Sequence, residues 1–308
     1  MEHLYDLIII GSGPAGLSAA IYARRARLDA LVIEASYVSG GQVVNTYEVD
    51  NYPGLPGISG MDLGSTLRGH ADKLGSQFVR EKVLELELEG PVKVVRTKKN
   101  EYRTKTVILA MGASHRKLGV PGEETFGGMG VSYCATCDGA FFRDKVTAVV
   151  GGGDVAVEDA IFLARGCSRV YLIHRREELR AAMILQEALK ENPRVEILWN
   201  QVVTEILGDS QVSRLKLKNT VTGQEQELPV DGCFIAVGIT PNSELLSGKL
   251  ALDASGYIQA GEDGATSVPG VFAAGDIRTK QLRQIITAAA DGANCVTSVQ
   301  NFLLTWKP

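Results

Sequence analysis

Short apolar runs that end in glycine recur along the chain and predict an α/β fold. The run 7–10 is too brief for a helix and leads into a glycine-rich turn. The segment 14–27 is alanine-rich and helix-like, with arginines in its last turn, and 31–34 is a second apolar run. A strand, a turn, a helix and a second strand in this order predict a βαβ unit.

The same order of elements appears again after residue 146. An apolar run at 147–150 leads into a second glycine-rich turn at 151–156, and an apolar helical segment continues to about Arg165. The run 170–173 is the returning strand. The chain therefore contains two dinucleotide-type units.

Three further apolar strands run into a glycine and suggest how the domains are arranged. They lie at 107–112, 233–238 and 270–276. A helix-like segment at 285–302 follows the last of them. If this C-terminal element completes the first nucleotide site, we expect an α/β protein with two Rossmann-like dinucleotide-binding domains. One would be discontinuous, with residues 1–112 and 243–308, and the other, residues 113–242, would be inserted into it.

Composition narrows the class of partner. The chain has 308 residues, is 45% hydrophobic and contains 34 glycines, which suits a globular protein of about two domains. Its net charge of −4 provides no basic field for nucleic acid or an anionic membrane, and no apolar stretch approaches a membrane span. The segment 1–6 lacks the basic and apolar regions of a secretion signal. We expect a cytoplasmic protein without nucleic-acid or membrane partners.

The first glycine-rich turn has the spacing of a dinucleotide site. It comprises Gly11, Ser12, Gly13, Pro14, Ala15 and Gly16. Such a turn lets the backbone approach a pyrophosphate at a helix N-terminus, although a tight turn without a ligand can have the same spacing. Glu34 lies 23 positions after Gly11, where a carboxylate can accept both hydroxyls of a ribose. An unphosphorylated ribose, as in FAD, is favoured here.

The second turn differs from the first at the position whose side chain would contact the ribose. Its candidate residues are Gly151, Gly153, Asp154, His174, Arg175, Arg176 and Arg180. The position 23 residues after Gly151 is a histidine followed by two arginines, and guanidinium groups bind a 2′-phosphate bidentately. NADPH is therefore favoured over NADH, the alternative being a solvated basic segment paired with neighbouring glutamates.

Cys134 and Cys137 form the only close cysteine pair. Zinc would need two further ligands, but the histidines are dispersed and the other cysteines stand alone, so no metal is expected. The Cys-x-x-Cys spacing favours a redox-active disulfide. Asp138 follows at once, and could transfer the proton needed for disulfide exchange, cap a helix, or do both.

With these motifs in this order, the chain resembles the low-molecular-weight thioredoxin reductases over its whole length. The matching segments are 11–16, 40–42, 51–54, 134–138, 151–153, 174–176, 180–181, 275–278 and 283–285. The chain departs from many members at Asp154 and Val155, where they carry Asn and Ser. Its segment after Phe302 lacks the redox pair of the larger reductases.

The resemblance implies NADPH-dependent reduction of thioredoxin through FAD and the Cys134–Cys137 disulfide, with alternation of the two domains. Cys137 would face the flavin, Cys134 would attack the substrate disulfide, and Asp138 would be the proton donor. Further FAD-binding residues implied are Gly41, Gln42, Asn51, Asp276, Arg283, Gln284 and Ile285. Residues 141–143 would meet thioredoxin, unless they are ordinary packing and a solvated charge. A cytoplasmic homodimer is also implied.

Two other functions stay open at this point. A related flavoprotein could serve another disulfide protein, or take electrons from ferredoxin or a reduced flavin. The intact second turn and its arginines argue against a donor other than NADPH. A redox sensor could bind nucleotide and signal through its disulfide without sustained turnover.

Overall fold

A computed structural model describes residues 3–46, 49 and 51–307, apart from the side chains of Asn45 and Cys137. The chain divides into two compact units. Unit 1 consists of Met1–Ser114 and Thr240–Pro308, and unit 2 consists of His115–Ile239. Among the described residues, every helix is too short or too polar to cross a bilayer.

The strands and helices follow one another as the glycine-punctuated pattern predicts, with additional antiparallel strands. The first part of unit 1 contains β1 (Leu4–Ile10), α1 (Pro14–Arg25), β2 (Ala30–Glu34), α2 (Gly60–Lys73), β3 (Gln77–Arg80), β4 (Val83–Glu87), β5 (Lys93–Thr97) and β6 (Glu101–Leu109), and β7 (Ala113–His115) leads from unit 1 into unit 2. The next elements are β8 (Val131–Ser132), α3 (Ala135–Asp138), β9 (Val146–Gly151), α4 (Asp154–Leu163), β10 (Arg169–His174), α5 (Met183–Lys190), β11 (Val195–Trp199), β12 (Gln201–Gly208), β13 (Val212–Asn219), β14 (Glu225–Pro229) and β15 (Gly232–Ala236). The chain returns to unit 1 through β16 (Ile239–Pro241), β17 (Val271–Ala273) and α6 (Ile285–Thr305).

The sheet of unit 1 is parallel in the order β3-β2-β1-β6, and β6 has two partners on its far side. The first half of β6 pairs antiparallel with β5 of the β4–β5 hairpin, and its last residues pair in parallel with β17. Alternate residues of β1 enter two apolar clusters, Leu7 and Ile9 on one face and Ile8 and Ile10 on the other. Because both faces are buried, β1 is apolar along its second half.

Unit 2 repeats this plan. Its main sheet is parallel in the order β11-β10-β9-β15-β8, and a three-stranded antiparallel sheet, β12-β13-β14, lies between β11 and β15 in the chain. The β4–β5 hairpin of unit 1 lies at the corresponding place in the chain, between β3 and β6. The fold is thus an α/β protein with two Rossmann-like sheets.

Candidate active site

The first glycine-rich turn joins β1 to α1 at the carboxyl ends of the parallel strands of unit 1. Gly11 has a φ of 103°, and a Cβ there would lie 2.4 Å from the carbonyl oxygen of Ala110. A Cβ on Gly16 would lie 1.9 Å from the carbonyl oxygen of Gly11. α1 begins at Pro14, and no side chain caps it at Gly13. Its first N–H groups can therefore bind an anion.

Glu34, at the end of β2, is hydrogen-bonded to this turn. One carboxylate oxygen accepts hydrogen bonds from the N–H and the hydroxyl of Ser12, both at 2.7 Å. The other accepts from the N–H of Ser36 at 2.7 Å. A carboxylate offers about four lone-pair sites, so capacity is left for a ribose hydroxyl. The sequence did not indicate the contact with Ser12.

The short 3₁₀ helix Gly41–Asn45 lies beside the first turn. The N–H of Gly40 donates to the carbonyl of Ser12 at 2.8 Å, and a Cβ on Gly41 would lie 3.1 Å from the Cα of Gly13. Gln42 is the exposed second residue of this helix. The candidate residues of the 40–42 segment are therefore close to those of the turn.

Asn51 and Gln284 meet although 233 positions separate them, since the amide of Asn51 donates to the side-chain oxygen of Gln284 at 3.0 Å. Gln284 forms a capping box with Thr287 at the start of α6, and Ile285 is the first residue of that helix. The fold thus brings together two residues that the resemblance assigned to FAD.

Asp276 and Arg283 carry buried polar atoms that have no hydrogen-bond partner among the described residues. These atoms are Oδ1 of Asp276 and Nε of Arg283. The Arg283 guanidinium lies 4.0 Å from the ring centre of Tyr257. Burial raises the pKa of the Asp276 carboxyl, and the nearby Lys280 and Arg283 cations offset this only in part. Because buried polar groups are nearly always bonded, these atoms fit a polar ligand such as the hydroxyls and phosphates of FAD.

A buried ion network holds the segment around Asp276. The carboxylate of Asp291 on α6 accepts from Arg278 at 2.7 and 2.9 Å, from Lys280 at 2.9 Å and from the N–H of Gly275 at 2.9 Å. Sequence reasoning did not identify this network. The one signal was an acidic residue inside an apolar helix.

Three candidate segments of unit 2 lie at the same end of its sheet. Cys134 follows β8, the second glycine-rich turn follows β9, and His174 ends β10. These strands are parallel members of one sheet, so their carboxyl ends share one edge. β15 alone lies between β8 and β9, which corresponds to a separation of about 10 Å.

Cys134 is disulfide-bonded and precedes the short helix α3. Its Sγ lies 3.3 Å from the hydroxyl of Thr136, and its carbonyl accepts from the N–H of Asp138 at 3.2 Å. The side chain of Cys137 lies outside the described residues, so the pairing of Cys134 with Cys137 stays a prediction. Asp138 ends α3, half-buried, and makes no side-chain capping bond to the 3₁₀ helix that follows.

The residues after the redox motif divide between packing and surface. Phe142 is buried and meets the ring of Phe234 edge-on at 5.2 Å. Phe141 and Arg143 are exposed. Ordinary packing accounts for Phe142, whereas the other two are at the surface.

Glu123 is a buried carboxylate that sequence reasoning missed. It accepts hydrogen bonds from the hydroxyl of Tyr133 at 2.7 Å and from the N–H groups of Leu118 and Gly119 at 2.9 and 2.7 Å. Burial acts to raise the pKa of Glu123, but these bonds outweigh it and lower the pKa. Tyr133 immediately precedes Cys134, so its hydrogen bond to Glu123 helps to hold the residue before the redox motif in place.

The second glycine-rich turn leaves room for a ligand. A Cβ on Gly153 would meet nothing within 4 Å, whereas one on Gly151 would lie 2.5 Å from the carbonyl oxygen of Ala236. Asp154 begins α4, and its Oδ1 accepts from the N–H of Ala182 at 2.7 Å. That oxygen therefore supports α5.

The arginines predicted to read a 2′-phosphate, Arg175, Arg176 and Arg180, are exposed after β10. Within the described part of the chain, no ion pair joins them to Glu177 or Glu178. They are thus accessible to an anion. His174, in contrast, is buried.

Comparison with known proteins identifies the family. A profile described as pyridine nucleotide-disulphide oxidoreductase matches residues 5–292. The chain is 49% identical over 300 residues to a thioredoxin reductase of Mycolicibacterium smegmatis, covering 97% of this chain and 96% of that one. It is 46% identical over 310 residues to one of Peptoclostridium acidaminophilum, covering 98% of each. The crystal structure of the Lactococcus lactis thioredoxin reductase matches with a TM-score of 0.80 and 42% identity, covering 97% of this chain and 99% of that one.

The match to the solved thioredoxin reductase over 97% of this chain agrees with the two Rossmann-like sheets. Thioredoxin reductases of this family are flavoprotein oxidoreductases that use FAD and NADPH. The chain belongs to the pyridine nucleotide-disulphide oxidoreductase family, among the thioredoxin reductases.

Proposed function

We propose that this protein catalyses NADPH-dependent reduction of thioredoxin disulfide. Unit 1 would bind FAD and unit 2 would bind NADPH. One observation carries the proposal: the disulfide-bonded Cys134, the second glycine-rich turn and the exposed arginines share one edge of the unit 2 sheet. A redox disulfide beside a dinucleotide site is the arrangement that such an enzyme needs.

Each residue of the redox motif would have a separate chemical role. Bound FAD supplies a two-electron carrier between the nicotinamide and the disulfide. After reduction, the Cys134 thiolate attacks one sulfur of the thioredoxin disulfide and releases the other as a thiolate, which Asp138 protonates. The Cys137 thiolate then attacks the Cys134 sulfur of the mixed disulfide, re-forms the Cys134–Cys137 bond and expels the second thioredoxin sulfur as a thiolate, which takes its proton from water to give dithiol thioredoxin.

The assignment of NADPH and the disulfide to one unit has a consequence for how the units move. The disulfide and the NADPH site both belong to unit 2, so each must reach the flavin in turn, and alternation of the two units would provide this. We also propose a cytoplasmic homodimer, which the similarity to thioredoxin reductases over almost the whole chain implies. Light scattering of the FAD-loaded protein gives its mass in solution, and a monomer would contradict the dimer.

An anaerobic titration tests the function. NADPH should bleach the flavin absorbance of the FAD-loaded protein, and adding oxidised thioredoxin should restore it in stoichiometric amounts. No bleaching would show that NADPH is not the donor. Bleaching without reoxidation by thioredoxin would indicate another disulfide partner or a redox sensor.

The variant Cys134→Ser tests the route. NADPH should still bleach its flavin, but reduction of thioredoxin should be abolished because the attacking thiolate is missing. Cys167→Ala removes a free, buried cysteine of the same unit and should keep turnover. Full turnover by Cys134→Ser would overturn the mechanism.

A further inference from the structure

His174 stands where the sequence predicts a reader of the 2′-phosphate, 23 positions after Gly151, but its surroundings point to another role. Only 5% of the residue is exposed. Its Nδ1 lies 2.8 Å from the carbonyl oxygen of Gly151, and its Nε2 lies 2.9 Å from that of Glu178. Each ring nitrogen therefore faces a backbone carbonyl oxygen, of which a neutral imidazole can donate to only one, and neither nitrogen is directed at a phosphate.

The ring also fills the space beneath the second glycine-rich turn. A Cβ on Gly152 would come within 2.2 Å of both Cε1 and Nδ1 of His174. On another side the ring meets Trp199 edge-on, with centroids 6.2 Å apart. The backbone of the turn at Gly152 is thus in close contact with the imidazole ring.

Two more bonds join the same pair of segments. The N–H of Arg180 donates to the carbonyl of Gly152 at 2.7 Å, and the N–H of Ala182 donates to Asp154 at 2.7 Å. With the contacts of His174, they tie the turn 151–154 to the segment 174–182. That segment carries the exposed arginines.

We propose that His174 is a positioning residue that holds the glycine-rich turn and the arginine-bearing segment in register, and that it does not contact the 2′-phosphate. The proposal rests on the NADPH site of the proposed function. The turn serves the pyrophosphate, which NADPH and NADH share, whereas the arginines serve the 2′-phosphate, which NADPH alone carries. Loss of His174 should therefore weaken the binding of NAD⁺ as well as that of NADP⁺, whereas loss of an arginine should weaken the binding of NADP⁺ alone.

Binding of NADP⁺ and NAD⁺ to the FAD-loaded enzyme, measured by calorimetry, separates the two roles. His174→Asn should lower the affinity for NAD⁺ by about tenfold and that for NADP⁺ by at least as much, because the segment that carries the arginines is released together with the turn. The matched variant Arg176→Gln should lower NADP⁺ affinity by about tenfold or more and leave NAD⁺ nearly unchanged. Where NAD⁺ binds too weakly for calorimetry, the rates of flavin reduction at low NADPH and at low NADH give the same comparison of the two nucleotides.

Hydrogen exchange supplies a readout independent of nucleotide. Amides of residues 175–182 should exchange faster in His174→Asn than in the wild type, while Arg176→Gln should leave them protected. If His174→Asn does not fold, His174→Gln, whose longer side chain can still donate to a backbone carbonyl, carries the same expectations with smaller losses.

Loss of NADP⁺ affinity with unchanged NAD⁺ affinity in the His174 variants would overturn the proposal, because the turn that binds the shared pyrophosphate would then not depend on His174. Unchanged affinity for both nucleotides would overturn it as well. Failure of the wild-type enzyme to bind NADP⁺ would instead contradict the proposed function, and this measurement comes first.

Discussion

Asp276 places a carboxylate oxygen inside unit 1 that has no hydrogen-bond donor among the described residues. Burying such a group without a partner costs free energy, and the raised pKa of this carboxyl expresses that cost. A ligand hydroxyl would remove it. We therefore expect Asp276 to lower the stability of the apoprotein and to contribute to FAD binding.

The variant Asp276→Asn should therefore change two quantities in opposite directions. The affinity for FAD should fall about 10- to 100-fold, since a charge-assisted hydrogen bond is lost. The free energy of unfolding of the apoprotein at neutral pH should rise by an amount on the order of 1 kcal/mol, because a carboxyl with a raised pKa no longer has to ionise in the interior.

Flavin titration and denaturant unfolding of the apoprotein measure the two effects. Asp209→Asn, at an exposed position of unit 2, is the control and should change neither. Loss of apoprotein stability together with unchanged flavin affinity would show that Asp276 is a structural residue.

At the scale of elements, α6 contributes more than an apolar face. Its Asp291, 5% exposed, binds Arg278, Lys280 and the backbone of Gly275. Gly292 allows close approach to α1, because a Cβ there would lie 2.1 Å from the carbonyl oxygen of Ala15. The helix thus packs on the first glycine-rich turn and anchors the segment of Asp276.

Asp291→Asn should destabilise the protein by about 3 to 5 kcal/mol at neutral pH, because it leaves two buried cations unpaired. Burial acts to raise the pKa of Asp291, but the bonds from Arg278 and Lys280 outweigh it and hold the pKa below 3.8. The carboxylate therefore stabilises the fold at pH above about 4, and this contribution is lost as pH falls through the lowered pKa.

Denaturant unfolding across pH measures the difference between variant and wild type. It should be constant near neutrality and shrink in acid. Asp72→Asn breaks an exposed pair with Arg68 on α2 and should cost less than about 1 kcal/mol. An equally small effect at Asp291 would contradict a stabilising network.

The elements differ in how well the sequence predicts them. Strands β1 and β9, their glycine-rich turns and α6 are predicted within a few residues, since apolar runs and glycines are local signals. The sheet β12-β13-β14 is not, because strand pairing depends on partners distant in sequence. Burial of Arg278 and Lys280 escapes prediction for the same reason, as their counter-ion lies 11 to 13 residues away.

At the scale of the molecule, two units built on one plan are joined by two short crossings. The outgoing strand β7 pairs with the returning strand β16. Within unit 1, the N–H of Asn242 donates to the carbonyl of Gly112 at 3.0 Å, and Ser114 bonds the side chain of Asn242 at 2.7 Å. The two ends at which unit 2 joins unit 1 therefore lie side by side.

This arrangement predicts that each unit folds alone. Each has apolar clusters on both faces of its own sheet. The strands β7 and β16 run antiparallel, since the N–H of Arg116 donates to Gly238 and that of Asn242 to Gly112, so a chain with residues 115–239 replaced by Asn-Gly can join them with a two-residue turn. We expect this chain to unfold cooperatively and to bind FAD but not NADP⁺, and the isolated segment 115–239 to bind NADP⁺ but not FAD.

Calorimetry measures NADP⁺ binding to each piece, and flavin retention on gel filtration measures FAD binding. Thioredoxin reduction should be absent from either piece and from their mixture. A folded unit 1 without FAD affinity, or a folded unit 2 without NADP⁺ affinity, would contradict the assignment of nucleotides to units.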